Sequence, residues 1–278
     1  MPRMSRRVAR GLIVAVALAN AAFFIAYQSR DWATYWTDQN GYMMLGETLA
    51  KTGRFTRYPQ SPVYVPEVLR TPGYPAFVAG VTLLFGPGHM PVAIAQALVF
   101  AAIALLAYAI GLWLAGERTA FAAGLATALY PTLPYFGALT MSDLLTALLV
   151  TLGFYAWLRT LSEGGRWIAV AGAGFAAAAI TRPSFQLLPV ALLLCAAIVA
   201  PVTRAALRRG VLVLAVAAAL VSPWVLYNVI YFHAVTLAPP AAGIGRNLWE
   251  GHWQIAFPGR VQAKYHAVAL FSNNDVVT

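Results

Sequence analysis

The chain has 278 residues, 60% of them hydrophobic and only 10% charged, with a mean hydropathy of +0.69. Soluble globular proteins carry about 25% charged residues, so this composition excludes an ordinary soluble enzyme and a disordered protein. The net charge is +10 at pH 7, yet the basic residues stand in small separate groups. That is the pattern of loops beside a bilayer rather than a stripe facing a phosphate backbone, and it argues against a nucleic-acid partner.

Taken in chain order, the sequence opens with a basic stretch and an apolar run over 11–27. Ala19-Asn20-Ala21 has the small-x-small form of a signal-peptidase site, so a cleaved leader is one reading. The run continues past that site through Ala22 to Ala26, which favours the other reading, a retained first helix with its N-terminus inside. Residues 28–72 are polar and rich in Pro and Tyr, a first outer loop. Residues 73–85 are apolar but shorter than the roughly 17–25 residues of a full span, so an interfacial or re-entrant helix is expected. Apolar runs follow at 91–115, 120–135, 144–158, 167–180, 185–202 and 211–231, and 232–278 is a polar outer tail that reads as an incomplete loop. The expected fold class is therefore an all-α polytopic membrane protein with seven transmembrane helices in a single membrane domain, 1–278.

With the N-terminus inside, the short turns 116–119, 159–166 and 203–210 are cytoplasmic, and all carry arginine, as the positive-inside rule asks. Among the acids only Glu117 and Glu163 then fall inside, while Asp31, Asp38, Glu47, Glu67, Asp143, Glu250 and Asp275 fall outside. Carboxylate chemistry thus belongs to the extracytoplasmic face of a plasma (inner) membrane protein. No internal repeat is evident, which weakens an inverted-repeat transporter.

Three residues stand out for chemistry. From Asp38 to Thr52 the sequence reads as an amphipathic helix closed by Gly53, with Asp38, Tyr42, Leu45 and Leu49 on one face. Such a helix would lie on the outer leaflet. Asp38 is then either its N-cap or a general base for an attacking hydroxyl. Asp143, at the outer start of a span, is either a cap beside Ser142 or a second carboxylate for an acceptor or a cation. Arg182, between two short apolar runs, either snorkels or clamps a lipid phosphate, which suits a planar guanidinium. Arg70 and Arg246 are weaker candidates for the same task. The four histidines are scattered without ligand spacing, so no metal site is assigned. No Walker or Gly-x-Gly-x-x-Gly fingerprint is present, so an internal nucleotide is not indicated. Cys195 lies in an apolar run and reads as a packed membrane thiol.

Four segments together resemble the glycosyltransferases of the C superfamily, specifically bacterial relatives of dolichyl-phosphate-mannose protein mannosyltransferases and of the lipid A aminoarabinose transferase. They are Asp38-Gln39-Asn40-Gly41-Tyr42 with Leu49 and Gly53; Arg70-Thr71-Pro72-Gly73-Tyr74-Pro75; Ala179-Ile180-Thr181-Arg182-Pro183; and Ser222-Pro223-Trp224 through Tyr227-Asn228 with Gly243 to Leu248. Three positions depart from the family pattern. Gln39 stands where a second acid is common, Tyr227 where an arginine is expected, and Asp143 where a glutamate is usual. The resemblance implies transfer of a sugar from a polyprenyl-phosphate donor to an acceptor lipid, glycan or protein, with inversion. It implies Asp38 as base, Asp143 placing the acceptor or a divalent cation, and Tyr42, Arg70, Arg182, Arg246 and Asn228 contacting substrate; a divalent cation is the one cofactor it leaves open. The competing readings are a transporter or flippase for a lipid-linked sugar, and an inactive fragment or structural membrane subunit. A cavity joining Asp38, Asp143 and Arg182 would favour transfer.

Overall fold

A computed structural model describes residues 5–30, 32, 37–199 and 203–238. Among them every regular element is helical. Helix α1 (Arg6–Gln28) starts where the Ser5 hydroxyl accepts the Val8 amide, satisfying one of the donors a helix leaves open at its first turn. It is followed by α2 (Thr37–Thr52), α3 (Gly73–Phe85), α4 (His89–Ala115), α5 (Glu117–Leu129), α6 (Thr132–Gly137), α7 (Asp143–Ser162), α8 (Arg166–Thr181), a 3-10 turn at Pro183–Phe185, α9 (Leu188–Val199) and α10 (Arg204–Phe232). Four of these, α1, α4, α7 and α10, are long and apolar enough to cross a membrane.

Two expected runs take a different form. The apolar stretch 120–135 is not one helix. Pro131 follows Tyr130, a residue before proline is pushed out of the α region, and Tyr130 sits at ψ 115°, ending α5. The chain resumes as the one-and-a-half-turn α6. The stretch 185–202 begins with a 3-10 turn because Pro183 cannot donate into a continuing helix. Cys195, expected to be packed, is exposed on the surface of α9.

Contacts between helix termini define two ends. At one end the Arg6 guanidinium meets Glu117 at 3.0 Å, and Arg209 donates to the carbonyls of Thr160 and Leu161. At the other, His89 at the head of α4 bonds Thr140 just before α7, at 2.7 Å, and Trp32 donates to the Ala138 carbonyl. The arginine-bearing turns lie at the first end, and the candidate carboxylates Asp38 and Asp143 at the second.

Close packing follows from small residues. At Gly174 an added Cβ would lie 2.9 Å from the Gly153 backbone, so α7 and α8 touch main chain to main chain, the contact that small residues permit between membrane helices. The buried side chains form one group around Ile13, Phe100, Tyr108 and Leu144 and another around Trp157, Phe175 and Val213. A third, Met43, Tyr74, Val78, Val92 and Leu145, fastens α2 and α3 to α4 and α7. Large apolar side chains cover much of the outer surface, among them Phe23, Leu83, Leu84, Leu98, Leu226 and Ile230. An apolar exterior of this extent suits lipid rather than water.

Candidate functional site

Helix α2 carries Asp38 in its first turn and ends at Gly53, whose φ of +68° is the left-handed conformation that glycine adopts at no steric cost. The polar loop that follows brings Arg70 back over the start of α2. There Arg70 Nη2 donates to Asp38 Oδ1 at 2.6 Å, and its guanidinium lies 4.8 Å from the centre of the Tyr42 ring. The two partners differ in exposure. The Arg70 side chain is 9% exposed and the Asp38 side chain 65%, so the carboxylate can be reached from outside while its cation is held inside.

Helix α3 starts immediately after, at Gly73, and its start is pressed against the end of α8. Thr71 Oγ1 donates to the Thr181 carbonyl at 3.1 Å. A Cβ on Gly73 would stand 2.5 Å from Thr181 Oγ1 and 2.8 Å from its backbone. Two of the segments noted in the sequence, 70–75 and 179–183, therefore meet face to face, and they can do so only because residue 73 lacks a side chain. Gly73→Ala is expected to force these elements apart, costing about 1–3 kcal/mol as overpacking does, and a thermal melt of the protein in detergent checks it.

Arg182 follows Thr181 and ends α8 in extended conformation, φ −141° and ψ 108°. That turn aims the side chain at α7, where Nη1 donates to Asp143 Oδ1 at 2.6 Å. Asp143 is thus engaged by an arginine, and Ser142, at the N-cap position of α7, makes no side-chain capping bond. Ser142 instead accepts from Tyr42 Oη at 3.4 Å. An unbroken chain of neighbours results: Asp38, Arg70, Tyr42, Ser142, Asp143, Arg182. Tyr74 lies edge-on to Tyr42 with centroids 4.9 Å apart. Its hydroxyl and Asp143 Oδ2 are buried with no hydrogen-bond partner among the described residues.

Of the remaining sequence candidates, Asn228 is buried, and its side-chain amide donates to the Thr236 carbonyl at 2.8 Å. Together with Trp224, which donates to the Leu237 carbonyl at 2.8 Å, it folds the chain back over the end of α10. Its described contacts are with that strap and not with the carboxylate–arginine chain. Tyr227 bonds Tyr64 of the first loop, hydroxyl to hydroxyl, at 2.7 Å. Burial pushes the Tyr64 phenol above its ordinary range, so this contact stays neutral through physiological pH. Arg246 lies outside the described residues. Sequence reasoning did not single out Arg57, Glu67, His89 or Thr140, which hold this end together.

The cluster balances two carboxylates with two guanidinium groups. Among the described residues no three His, Cys, Asp or Glu side chains stand together as metal ligands. The arrangement joins a reachable carboxylate to a partly exposed arginine on one framework.

The model of a protein family described as dolichyl-phosphate-mannose-protein mannosyltransferase matches residues 69–227, more than half of the chain. The chain belongs to that family. It is a multi-pass membrane protein of a glycosyltransferase family of the C-superfamily type, and the family implies a lipid-linked sugar donor. The match contains Arg70, Asp143 and Arg182; Asp38 and Tyr42 precede it, and Asn228 and Arg246 follow it. No curated protein and no solved structure matches the chain significantly.

Proposed function

We propose that the protein moves a sugar from a polyprenyl-phosphate donor to an acceptor hydroxyl on the outer face of the membrane, in a single inverting displacement. The observation that supports this reading best is the chain of contacts from Asp38 to Arg182, two ion pairs joined through the Tyr42 ring and Ser142 and gathered at the end of the helices opposite the arginine-bearing turns. The positive-inside rule favours a cytoplasmic position for those turns, and in this reading the cluster faces the outer surface of the plasma membrane. In this topology the chain passes seven times, with α5 and α6 together making one short crossing and α8 and α9 two more. Residues 1–278 form one membrane domain. Helix α2 lies on the outer leaflet, and α3, 13 residues long, stays interfacial.

The donor reaches such a site sideways from the bilayer, its phosphate at the height of the headgroups. Arg182, with a side chain 42% exposed, receives that phosphate, with help from Arg246. The acceptor O–H gives its proton to Asp38 as its oxygen attacks the anomeric carbon. The new C–O bond forms as the bond to the phosphate oxygen breaks, and the polyprenyl phosphate leaves with the electron pair. Preorganised positive charge at the leaving oxygen is the arrangement that lowers such a barrier most. Asp143 and Tyr42 place the acceptor, and Asn228 holds the Thr236 carbonyl at the end of α10.

The direct test uses the purified protein in sealed proteoliposomes with a radiolabelled polyprenyl-phosphate sugar and candidate acceptors. Transfer of label with inverted anomeric configuration is expected. Movement of intact donor between leaflets without any transfer would replace this reading with a flippase.

A further inference from the structure

Glu67 is a carboxylate with a side chain only 1% exposed. A buried charge of this kind is tolerated only when it is paired and its lone pairs are filled, and here four donors do so. Arg57 Nε reaches Oε2 at 2.6 Å, while Arg57 Nη2 at 2.9 Å and the backbone amides of Leu69 at 2.8 Å and Arg70 at 3.1 Å all reach Oε1. The first pair closes the loop across ten positions. The second pair bonds the main chain at Arg70 itself.

That main chain decides where the Arg70 side chain departs. An arginine is long and has many rotamers, and ordering it against one partner costs entropy. Arg70 is ordered from three directions: Glu67 holds its amide, the Tyr42 ring lies under its guanidinium, and Gly41 leaves room beside it. A Cβ at residue 41 would fall 2.7 Å from Arg70 Cζ. The fourth contact is with Asp38. We propose that Glu67, clamped by Arg57, is the positioning residue that sets Arg70 against Asp38, a role that rests on the transfer reading above and assigns the loop 57–70 a part in it.

Arginine reactivity in the full-length protein tests the contact without needing turnover. Phenylglyoxal modification of each arginine is followed by mass spectrometry in wild type, Glu67→Ala and Glu67→Gln. Glu67→Gln keeps an acceptor at the Oε1 position for both backbone amides. Glu67→Ala removes them. Arg70 in Glu67→Ala is expected to react about tenfold faster, the scale of losing a hydrogen bond to a charged group. In Glu67→Gln it should stay near the wild-type rate, and Arg182, paired on other helices, should be unchanged throughout. An Arg70 rate that does not move in Glu67→Ala overturns the proposal. So does a parallel rise at Arg182, which would make Glu67 a general support of the fold.

Transfer is then measured in a double-mutant cycle with Arg70→Ala. A residue acting through Arg70 lowers kcat in the wild-type background and adds nothing in the Arg70→Ala background. Additive losses overturn the positioning role. If Arg70 is released as expected but transfer is untouched, the contact stands and the assignment of catalysis to this cluster fails.

Discussion

Asp38→Asn is expected to lower sugar transfer by about 10²–10⁴, the usual contribution of a positioned general base, with the protein still present in the membrane at wild-type level. The substitution keeps shape and retains an oxygen that can accept from Arg70 Nη2, so the cluster loses proton affinity rather than architecture. The loss should appear in kcat with little change in the KM for donor. Asp38→Glu, which moves the carboxylate by one methylene, should recover part of the rate. Initial rates at several donor concentrations, beside a melting curve of each variant, separate these effects. Full activity in Asp38→Asn would reduce this aspartate to an electrostatic partner of Arg70 at the head of α2 and leave Asp143 as the carboxylate to test.

Arg182→Ala carries the second large effect. The guanidinium is the most accessible positive charge in the described cluster, 42% exposed against 9% for Arg70, and it projects from a turn rather than from within a helix. Removing a preorganised group that stabilises charge on a leaving oxygen costs about 10²–10³ in kcat, and the KM for donor should rise as well. The variant also leaves Asp143, whose Oδ2 has no partner among the described residues, without its ion. Arg182→Ala should therefore be less stable than Asp143→Asn paired with Arg182→Ala, in which the stranded charge is gone. Arg182→Lys restores charge but not the planar fork, so it is expected to recover stability better than rate. Kinetics with donor and acceptor varied separately decide the role. A change confined to the acceptor KM would move Arg182 from the leaving group to the acceptor.

Placement of the candidate residues shows why part of this site was legible and part was not. Asp38 and Arg182 stand out because charged side chains are few in so apolar a chain. Asp143 could be read only as a cap or a second carboxylate. Its pairing with Arg182 depends on the end of α8 lying beside the start of α7, which no local pattern encodes. Glu67 was invisible as a functional residue because its four donors come from the loop backbone and from an arginine ten positions away. The apolar run 120–135 misled in a simple way. Hydropathy is blind to backbone geometry, and the break before Pro131 divides a continuous apolar stretch into two helices.

The sequence by itself determined the class of the protein. Apolar runs with few charges can satisfy their backbone groups in lipid only as helices, and the spacing of arginine-bearing turns orders those helices end to end. It also held the family resemblance, since the segments at 70–75 and 179–183 are contiguous in the chain and legible one at a time. Only the tertiary structure decided that these segments touch, that Arg70 pairs with Asp38 and Arg182 with Asp143, and that Tyr42 bridges them. The physical reason is that each contact joins helix ends far apart in sequence, and close approach is set by small residues such as Gly41, Gly73 and Gly174 whose role is visible only once a neighbour's backbone lies where a side chain would have been.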